Sequence, residues 1–545
     1  MPITDLLRRN AQEYGDKVCL TEINPEEEMN GLSWKEFSLV ETAHKGVYRK
    51  ELTWRGFDEQ ANRFANLLLS RGVKRGDKIG ILLMNCIEWL PIYFGILKTG
   101  AIAVPLNFRY SSDEIKYALD KADVITLVFG PEFIERVVTI KKDIGNVKMF
   151  FYVNGKKEIP SFAEYYHELA AASPSSDPNI KIESEDDAAI YFSSGTTGFP
   201  KAILHWHLTL ETACRVEQNH HGQTIDDIFL CIPPLYHTGA KMHWFGSLLV
   251  GGSGVLLRGI KPKWIIETAA RERASIVWLL VPWAQDILDA IDSGEIKLSD
   301  YDLSAWRLMH IGAQPVPPSL VKRWKKHFPH HEYDTNYGLS ESSGPGAVHL
   351  GIENIHKVGA IGKAGFSWET AVVDENGSPV ARGGVGELIL RGDSVMRCYY
   401  KDPEATAASI KNGWLYTGDM ATEDEDGFIF LVDRKKDVII TGGENIYPVQ
   451  IEDFLRGFDK IKDSAVIGLA DQRLGEITLA IIEIKPGMEC AEEEIQEFCR
   501  QLPRYKRPRK IIFDAVPRNA TGKIEKPKLR AKYGGESIVK QQTEI

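Results

Sequence analysis

Cysteine is scarce in this sequence. Seven cysteines are spread over 545 residues, and no two of them form a Cys-x-x-Cys pair. Disulfide frameworks and paired thiolate metal ligands both need cysteines at closer, regular spacing. We therefore expect reduced thiols that mostly fill the core, as in a protein of the cytoplasm.

Long hydrophobic runs are missing as well. One of the most apolar stretches, residues 246–257, is short and rich in glycine, whereas a membrane-spanning helix needs about 20 apolar residues. Residues 1–5 include a charge and begin no apolar segment of the kind that secretory signals carry. The sequence predicts a soluble, cytoplasmic protein with no transmembrane segment.

Positive charge is not in excess either, because the formal net charge is −10. Binding to nucleic acid relies on clustered lysine and arginine that neutralise phosphates. We therefore expect no nucleic-acid partner. A local field can still oppose the net charge, so an anionic small molecule stays compatible with this composition.

What the chain does have is length and alternating periodicity. At 545 residues it exceeds what one hydrophobic core supports, and three or four packing units are expected. Helical spacing over 57–69 and 93–98 alternates with strand-like runs at 78–83 and 101–106, which predicts βα units and a largely parallel sheet. Residues 22–51 are interpreted as a polar surface insertion.

The sequence pattern changes after about residue 370, where short predicted strands alternate with Gly and Asp turns. From residue 436 onward the pattern predicts a compact α+β unit. The fold class is therefore α/β, with a large N-terminal domain of βα-layered subdomains plus a β-rich subdomain over 1–433. A small α+β domain is expected over 434–545, with the boundary near 433–437.

The strongest chemical signal is a glycine- and hydroxyl-rich loop that follows the strand-like run 188–192. It reads Ser193-Ser194-Gly195-Thr196-Thr197-Gly198-Phe199-Pro200-Lys201. Glycines allow the backbone to approach an anion closely, and hydroxyls with backbone N–H groups donate to phosphate. No Gly-Lys-Ser/Thr follows the second glycine, so the loop is not a Walker A loop. A flexible linker would not need the Pro-Lys ending.

Further motifs follow this loop in a definite order. They are Pro233-Pro234-Leu235-Tyr236-His237-Thr238-Gly239, Thr335-Asn336-Tyr337-Gly338-Leu339-Ser340-Glu341, Tyr416-Thr417-Gly418-Asp419, Asp433-Arg434-Lys435-Lys436-Asp437, Thr441-Gly442-Gly443-Glu444-Asn445-Ile446-Tyr447-Pro448 and Pro517-Arg518-Asn519-Ala520-Thr521-Gly522-Lys523-Ile524. Together they resemble the adenylate-forming superfamily of acyl-CoA synthetases, adenylation domains and firefly-type luciferases. The resemblance covers essentially the whole chain. It implies a large domain that binds ATP and acid, and a small mobile C-terminal domain that swings over it.

The resemblance implies a nucleotide site in which a tyrosine ring stacks on the purine and an aspartate accepts from the ribose hydroxyls. Its residues are Ser193, Ser194, Gly195, Thr196, Thr197, Gly198, Lys201, Gly312, Ala313, Gln314, Asn336, Tyr337, Gly338, Ser340, Asp419, Arg434 and Lys523. Ser340 stands where the family usually has threonine, and both residues carry the hydroxyl.

The resemblance also implies the catalytic roles. Lys523 would bridge the acid's carboxylate and the α-phosphate, since two anions approach each other only with a cation between them. His237, Thr196 and Lys201 are the other expected catalytic residues. Glu341 offers the hard oxygen ligand that suits Mg²⁺, and Lys436 corresponds to the hinge.

The acceptor is inferred from the segment that contains Gly442, Gly443, Glu444 and Asn445. It looks like the form typical of acyl-CoA synthetases, where a glycine-rich hairpin lines the tunnel for the pantetheine arm. Peptide-synthetase adenylation domains typically carry an arginine-containing sequence here. The expected co-substrates are ATP with Mg²⁺ and coenzyme A, and a homodimer is one arrangement that the sequence allows.

The acid is expected to bind among residues of several motifs, namely Lys241, Trp244, Trp283, Gly312 and Gly338. Large tryptophans would close the pocket early and favour a small to medium, aromatic or alicyclic acid, with Lys241 steering the carboxylate. Equally, both tryptophans could belong to the core. A long-chain fatty-acid–CoA ligase is the alternative.

Two other classes stay open at this point. One is an adenylate former with another acceptor, such as an acyl-AMP ligase or an oxygenase. The other is a nucleotide-binding protein without catalysis, which the intact motifs disfavour. The histidines 205, 207, 220, 221, 330 and 331 show no metal-ligand spacing backed by cysteine or carboxylate, and are interpreted as structural or surface residues.

Overall fold

The computed structural model describes residues 1–25, 48–155, 159–193, 200–312, 316–349, 352–441, 444–471, 473–518 and 523–534. Its helices are α1 (Ile3–Glu13), α2 (Trp54–Ser70), α3 (Trp89–Lys98), α4 (Ser112–Lys121), α5 (Ile134–Ile140), α6 (Tyr166–Ala172), α7 (His207–His221), α8 (Thr238–Val250), α9 (Pro262–Arg271), α10 (Val281–Asp292), α11 (Pro318–His327), α12 (Pro403–Ser409), α13 (Pro448–Arg456), α14 (Glu492–Phe498) and α15 (Lys526–Tyr533).

The strands form four sheets. They are β1 (Val18–Ile23), β2 (Arg49–Thr53), β3 (Lys78–Leu82), β4 (Ile102–Pro105), β5 (Val124–Phe129), β6 (Met149–Tyr152), β7 (Glu164–Tyr165), β8 (Asp187–Phe192), β9 (Ala202–Trp206), β10 (Ile228–Cys231), β11 (Ser253–Leu257), β12 (Ile276–Leu280), β13 (Leu308–Gly312), β14 (Glu332–Tyr337), β15 (Ala347–His349), β16 (Lys363–Ala364), β17 (Trp368–Val373), β18 (Val385–Gly392), β19 (Cys398–Tyr399), β20 (Ile410–Lys411), β21 (Trp414–Glu423), β22 (Ile429–Arg434), β23 (Ile439–Thr441), β24 (Glu444–Ile446), β25 (Ile461–Asp471), β26 (Gly475–Ile484) and β27 (Lys510–Phe513).

Two large mixed sheets form the N-terminal part. One has the order β19-β9-β8-β4-β3-β5-β6-β7, and the other has the order β16-β15-β14-β13-β12-β10-β11-β1-β2. The central pairs, such as β3 with β4 and β12 with β13, are parallel, and antiparallel pairs lie at the edges. The predicted βα pattern is confirmed, because parallel neighbours need crossover connections and helices supply them.

A layer of apolar helices shares one core with strands from both sheets. Every residue of α3 is buried, as are Trp54 and Phe57 of α2 and Trp244 of α8. These side chains pack in one cluster with Ile79 from one large sheet and residues of β12 from the other. A helix that is buried on every side, as α3 is, has no solvent-facing side that would require polar residues.

The third and fourth sheets are smaller. β17, β18, β21 and β20 form an antiparallel sheet with β22 beside β21, and β24, β23, β26 and β25 form the last sheet with β27 beside β26. The chain passes between them through a short 3₁₀ turn, Lys435–Asp437. The predicted α/β fold class, with a β-rich subdomain and a smaller C-terminal unit, is confirmed. The domain boundary near 433–437 stays a prediction that agrees with this change of sheet.

The predicted insertion at 22–51 needs correction at both ends. Residues 22 and 23 end β1, and Arg49 to Thr53 form β2, which pairs with it antiparallel. Residues 26–47 lie outside the described residues. Within the part of the chain that the structure describes, no helix is both long and apolar enough to cross a bilayer.

Candidate active site

Three residues from separate motifs meet at the junction of the second and third sheets. The Tyr337 hydroxyl, at the end of β14, donates to the Asp419 carboxylate. The other oxygen of that carboxylate lies 2.5 Å from Arg434 Nε. Asp419 and Arg434 are cross-strand partners in β21 and β22, so the sheet register itself brings them together. The buried aspartate is therefore paired on both sides, as buried charges require.

Glu341 lies beside this group. The Tyr399 hydroxyl donates to Glu341 Oε1 over 2.9 Å. The Lys201 ammonium stands 4.6 Å from the centroid of the same tyrosine ring. Tyr399 occupies β19, which pairs with β9 next to Lys201. A cation and a carboxylate that the sequence placed in different motifs thus share one aromatic neighbour, which sequence analysis did not identify.

The phosphate loop begins and ends on a closed hairpin stem. The Lys201 amide donates to Ser193 Oγ over 3.0 Å, and the Ser193 amide donates to the Lys201 carbonyl over 3.0 Å. Below these two hydrogen bonds, β8 and β9 continue as an antiparallel pair. The structure therefore holds the two ends of the loop, Ser193 and Lys201, next to each other. Ser194, Gly195, Thr196, Thr197 and Gly198 lie outside the described residues.

Lys523 reaches the same site from the C-terminal unit. Burial lowers the pKa of its ammonium to about 8, the Arg434 cation acts in the same direction, and the carboxylates of Asp419 and Glu341 oppose both. Nearby charges shift the pKa of an ionisable group, so the half-buried lysine belongs to the same electrostatic group as Arg434, Asp419 and Glu341. The structure brings together the last motif and the nucleotide motifs.

The end of the nine-stranded sheet contributes a backbone wall. A Cβ on Gly312, the last residue of β13, would lie 3.9 Å from Asn336 Oδ1 and 3.8 Å from Trp278 Nε1. A Cβ on Gly338 would lie 2.5 Å from the Gly344 carbonyl oxygen, so only glycine fits there. Ala313 and Gln314 lie outside the described residues.

Ser340 is held through its backbone. Its carbonyl oxygen lies 2.8 Å from His205 Nε2. Burial lowers the pKa of His205 to about 3, so this imidazole is neutral at physiological pH and donates to the carbonyl. The structural role predicted for this histidine agrees with the contact, and the contact orients the loop that carries Ser340 and Glu341.

His237 caps α8. Its Nδ1 accepts a hydrogen bond from the Gly239 amide over 3.2 Å, which satisfies one of the amides left open at a helix start. The ring is half-buried and faces Tyr236 at its edge. The catalytic role predicted for His237 stays a prediction, and the capping contact holds the ring in one place.

The contacts of Lys241 do not favour the steering role predicted for it, which stays a prediction. Its ammonium is fully buried and donates to the carbonyl oxygens of Leu235 and His237 over 3.0 and 3.2 Å. It also stands 4.3 Å from the centroid of the Tyr191 ring. Burial lowers its pKa well below the ordinary range. Helix α8 points this residue into the core, where it fastens the loop that precedes the helix.

Trp244 packs in the core as well, and its place in the acyl pocket stays a prediction. It is fully buried, and its ring packs 6.2 Å from Trp54, 5.9 Å from Phe57 and 6.3 Å from Phe94, measured between centroids. These neighbours belong to the layer of helices that shares one core with both large sheets. Trp283, at the start of α10, is 2% exposed, and its place in the pocket stays a prediction.

A different tryptophan stands at the site. Trp278 of β12 pairs in register with His310 of β13, and a Cβ on Gly239 would lie 3.0 Å from its Cη2 atom. It thus lies between the start of α8 and the strand that ends at Gly312. Sequence analysis missed it because it sits in the continuous apolar run of a buried strand, which resembles core packing.

The hinge and tunnel residues are placed only in part. Lys436 is exposed on the 3₁₀ turn between the last two sheets, and its neighbour Asp437 accepts from Arg530 over 2.6 Å. Gly442 and Gly443 lie outside the described residues, and Glu444 and Asn445 begin β24. Their roles as hinge and tunnel stay predictions.

The donor set around Glu341 fits Mg²⁺. The half-buried glutamate is a hard oxygen ligand beside the phosphate loop's stem. Mg²⁺ typically takes one or two carboxylates and completes its shell with phosphate and water. One carboxylate near a phosphate loop is therefore the expected arrangement for a metal that arrives with a nucleotide.

Comparison with known proteins agrees with this geometry. Residues 7–400 match the model of the AMP-binding enzyme family, and residues 450–523 match that of the AMP-binding enzyme C-terminal domain. A long-chain-fatty-acid–CoA ligase of Mycobacterium tuberculosis is 30% identical over 88% of this chain and 93% of its own length. A feruloyl-CoA synthase of Amycolatopsis is 31% identical over 89% of this chain and 94% of its own.

The fold has a solved counterpart as well. The crystal structure of the anthranilate CoA ligase AuaEII in complex with anthranoyl-AMP superimposes with a TM-score of 0.86, at 25% identity, over 98% of this chain and 97% of the other. The two family matches cover most of the chain, including the phosphate loop, the Thr335–Glu341 motif and the segment that ends at Lys523. The chain therefore belongs to the AMP-binding enzymes of the adenylate-forming superfamily, in the acid–thiol ligase branch of acyl-CoA synthetases.

Proposed function

We propose that this protein joins a small to medium aromatic or alicyclic carboxylic acid to coenzyme A, with ATP cleaved to AMP and diphosphate. The observation that carries the proposal is the convergence of Lys523, Glu341, Asp419 and Arg434 on one site. That group contains both the cation and the carboxylates that acyl-adenylate chemistry requires, and it assembles from four separate motifs in the second half of the chain.

In the first step, a carboxylate oxygen of the acid attacks the α-phosphorus of ATP and diphosphate leaves. Asp419 would accept from the ribose hydroxyls, and the ion pair with Arg434 holds that carboxylate in place. Lys523 would lie between the two anions and stabilise the charge that develops in the transition state. Glu341 and the phosphates would hold Mg²⁺, which would neutralise negative charge on the leaving diphosphate.

In the second step, the CoA sulfur bonds to the acyl carbon while the bond from that carbon to the AMP oxygen breaks. The thiol proton passes to solvent or to the released phosphate. We infer that the C-terminal unit turns about Lys436 between the steps, so that Lys523 leaves and the hairpin with Gly442 to Asn445 approaches. One mobile unit that serves two half-reactions fits a gating role.

The acid class rests on Trp278. This rigid ring is 3% exposed and occupies the space between Gly239 and the strand that ends at Gly312. The flat ring of an aromatic acid can pack against the indole of Trp278, whereas a long alkyl chain would need the space that this indole fills. Relatives named for feruloyl and anthranoyl groups support this reading, and the relative named for long-chain fatty acids supports the alternative.

The experiment measures diphosphate and AMP release by the purified protein with MgATP and a panel of acids, with and without CoA. The panel includes acetate, hexanoate, benzoate, a cinnamate, cyclohexanecarboxylate and palmitate. We expect CoA-dependent AMP release with benzoate-like or alicyclic acids. Preference for palmitate would refute the acid class alone.

Adenylate formation without any CoA-dependent product would refute the acceptor and favour an acyl-AMP ligase. The control is the same assay with Lys523→Ala, which should lower acid-dependent diphosphate release about 10²–10³-fold. Release at the wild-type rate in this variant would contradict the role proposed for Lys523.

A further inference from the structure

Three histidines and one aspartate meet behind the wall of the candidate active site. His220 and His221 end α7, His310 lies in β13 and Asp334 lies in β14. One ligand atom from each of these four side chains lies within 4.8 Å of the other three, and all four residues are buried. The interpretation of His220 and His221 as structural or surface residues without a carboxylate partner is therefore incomplete, because the partner comes from a distant strand.

The distances within the cluster resemble those of a coordination shell. His221 Nε2 lies 3.2 Å from His310 Nδ1 and 3.8 Å from Asp334 Oδ2. His220 Nε2 contacts the same Asp334 oxygen. Ligands at about 2.0–2.1 Å from a tetrahedral metal ion lie roughly 3.3 Å apart. Small side-chain shifts would thus seat one ion among these four atoms.

The charges of the cluster call for a cation. Glu217, on α7, is 1% exposed, and its Oε2 lies 3.6 Å from His221 Nδ1. Two buried carboxylates, Glu217 and Asp334, therefore adjoin three imidazoles. Buried carboxylates are costly unless they are paired or ligate a metal. A carboxylate at the second nitrogen of a ligating histidine is also the usual way in which such a ring is oriented.

We propose that His220, His221, His310 and Asp334 bind one Zn²⁺ ion as a structural site. Imidazole nitrogens with a single carboxylate suit zinc and other transition metals, whereas Mg²⁺ and Ca²⁺ prefer oxygen ligands alone. Among these ions, Zn²⁺ is the one that typically takes a closed tetrahedral shell of such ligands. Four protein ligands fill a tetrahedral shell and leave no position for a substrate, which is the pattern of structural sites. This zinc site is separate from Glu341 and does not depend on the proposed function.

The sheet register shows what the ion would do. His310 and Asp334 are direct partners in the parallel pair of β13 and β14. Gly312 and Asn336 follow each of them by two residues, so they lie on the same face of the sheet, one pleat closer to the nucleotide. An ion that ties both strands to the end of α7 would hold Gly312 and Asn336 in position relative to each other.

The first test measures zinc in protein purified from cells grown with added Zn²⁺, by inductively coupled plasma mass spectrometry after removal of loosely bound metal. We expect about one Zn²⁺ per chain, retained on dialysis. His310→Gln and Asp334→Asn should lose it, and Glu217→Gln should weaken zinc affinity about 10–100-fold. His331→Gln, a buried histidine outside the cluster, is the matched control and should keep the metal.

A second measurement does not depend on whether the variants fold. The wild-type chain is denatured with chelator and refolded with Co²⁺ in place of Zn²⁺. A tetrahedral site of nitrogen and oxygen ligands gives visible d–d bands without the intense near-ultraviolet band of cobalt–thiolate bonds. A thermal unfolding temperature that rises with one equivalent of Zn²⁺ over the metal-free protein completes the expected result.

The proposal is overturned if wild-type protein holds no zinc after either route and Zn²⁺ does not raise its unfolding temperature. The cluster would then be a hydrogen-bonded group of histidines and carboxylates. It is equally overturned if the cobalt spectrum shows thiolate ligation, or if folded Asp334→Asn retains the metal as His331→Gln does.

Discussion

The two walls of the candidate site are built in opposite ways. The nucleotide wall consists of charged side chains at strand ends, each held by a partner of opposite charge or by a tyrosine hydroxyl, as in the pairing of Asp419 with Arg434 and Tyr337. The proposed acyl wall consists of Trp278, the capped start of α8 and glycine backbone. Under the proposed function, the first wall would recognise charge and direction, and the second would recognise shape.

The difference has an energetic reason. A charged group near the core must be paired, so each change on the nucleotide wall leaves a partner without its counterpart. An apolar wall responds to volume, so a change there alters which molecule fits more than how fast it reacts. Variants of the two walls should therefore separate rate from selectivity.

The largest expected effect is that of Lys523→Ala on the nucleotide side. Removal of the cation between two anions should lower the rate of adenylate formation about 10²–10³-fold, or about 2.7–4 kcal/mol. The measurement is acid-dependent ATP–diphosphate exchange. Lys528→Ala, an exposed lysine of α15 that pairs with Glu525, is the control and should stay near the wild-type rate.

A second assay of Lys523→Ala measures the thioester-forming step separately from adenylate formation. Transfer from chemically synthesised acyl-AMP to CoA should proceed at nearly the wild-type rate, because Lys523 acts only in the first step of the proposed cycle. An equal loss in both assays would show that the lysine supports the fold of the C-terminal unit instead.

Asp419→Asn should have the next largest effect. The amide keeps the shape but leaves the Arg434 cation without its carboxylate and weakens contact with ribose, at a cost of about 1–3 kcal/mol. We expect this cost as a rise in KM for ATP, measured at saturating acid. Asp424→Asn, on the exposed turn after β21, tests for general damage to the third sheet and should leave KM for ATP unchanged.

Trp278→Ala should change selectivity on the acyl wall. Space opened next to Gly239 should favour longer acids, by about 0.8 kcal/mol or fourfold for each methylene newly buried. The measurement is the ratio of kcat/KM for hexanoate to that for acetate. A ratio equal to that of the wild type would mean that the acid does not contact this ring.

Trp244→Ala is the control for that comparison. Its ring lies in the helical core, so the variant should lose about 3–5 kcal/mol of unfolding free energy with no change in the acid ratio. A shift in chain-length preference in this variant would return Trp244 to the pocket.

The smallest effect is the pH dependence of the first step. The pKa of Lys523 is lowered to about 8 in the free protein, and the protonated ammonium is the form that acts. The kcat/KM for ATP in adenylate formation should therefore be constant below that pH and fall about tenfold per unit above it. The same profile for Lys523→Ala should lack this decline, and a decline that persists would assign it to another group.

The sequence was sufficient where a motif is contiguous and its chemistry is carried by residue type. The helix at 57–69 and the strand at 78–83 appear as α2 and β3 within a few residues, because their periodicity is local. The order of the nucleotide motifs and the match of residues 7–400 to the AMP-binding enzymes agree for the same reason.

The sequence was insufficient where a side chain's role depends on which way a strand or helix turns it. Lys241 and Trp244 lie next to the right motif, yet α8 directs both into the core, while Trp278 is hidden in an apolar run. Tyr399 and Glu341 meet although 57 residues separate them along the chain.

What the sequence determined by itself is the family, the fold class and the residue types of the nucleotide motifs, because these depend on local pattern and on chemistry that needs particular side chains. What only the tertiary structure decided is which aromatic ring lies between Gly239 and Gly312 and which histidines meet a carboxylate. Those depend on parallel strand register between segments such as β12, β13 and β14, where each partner comes from a separate crossover.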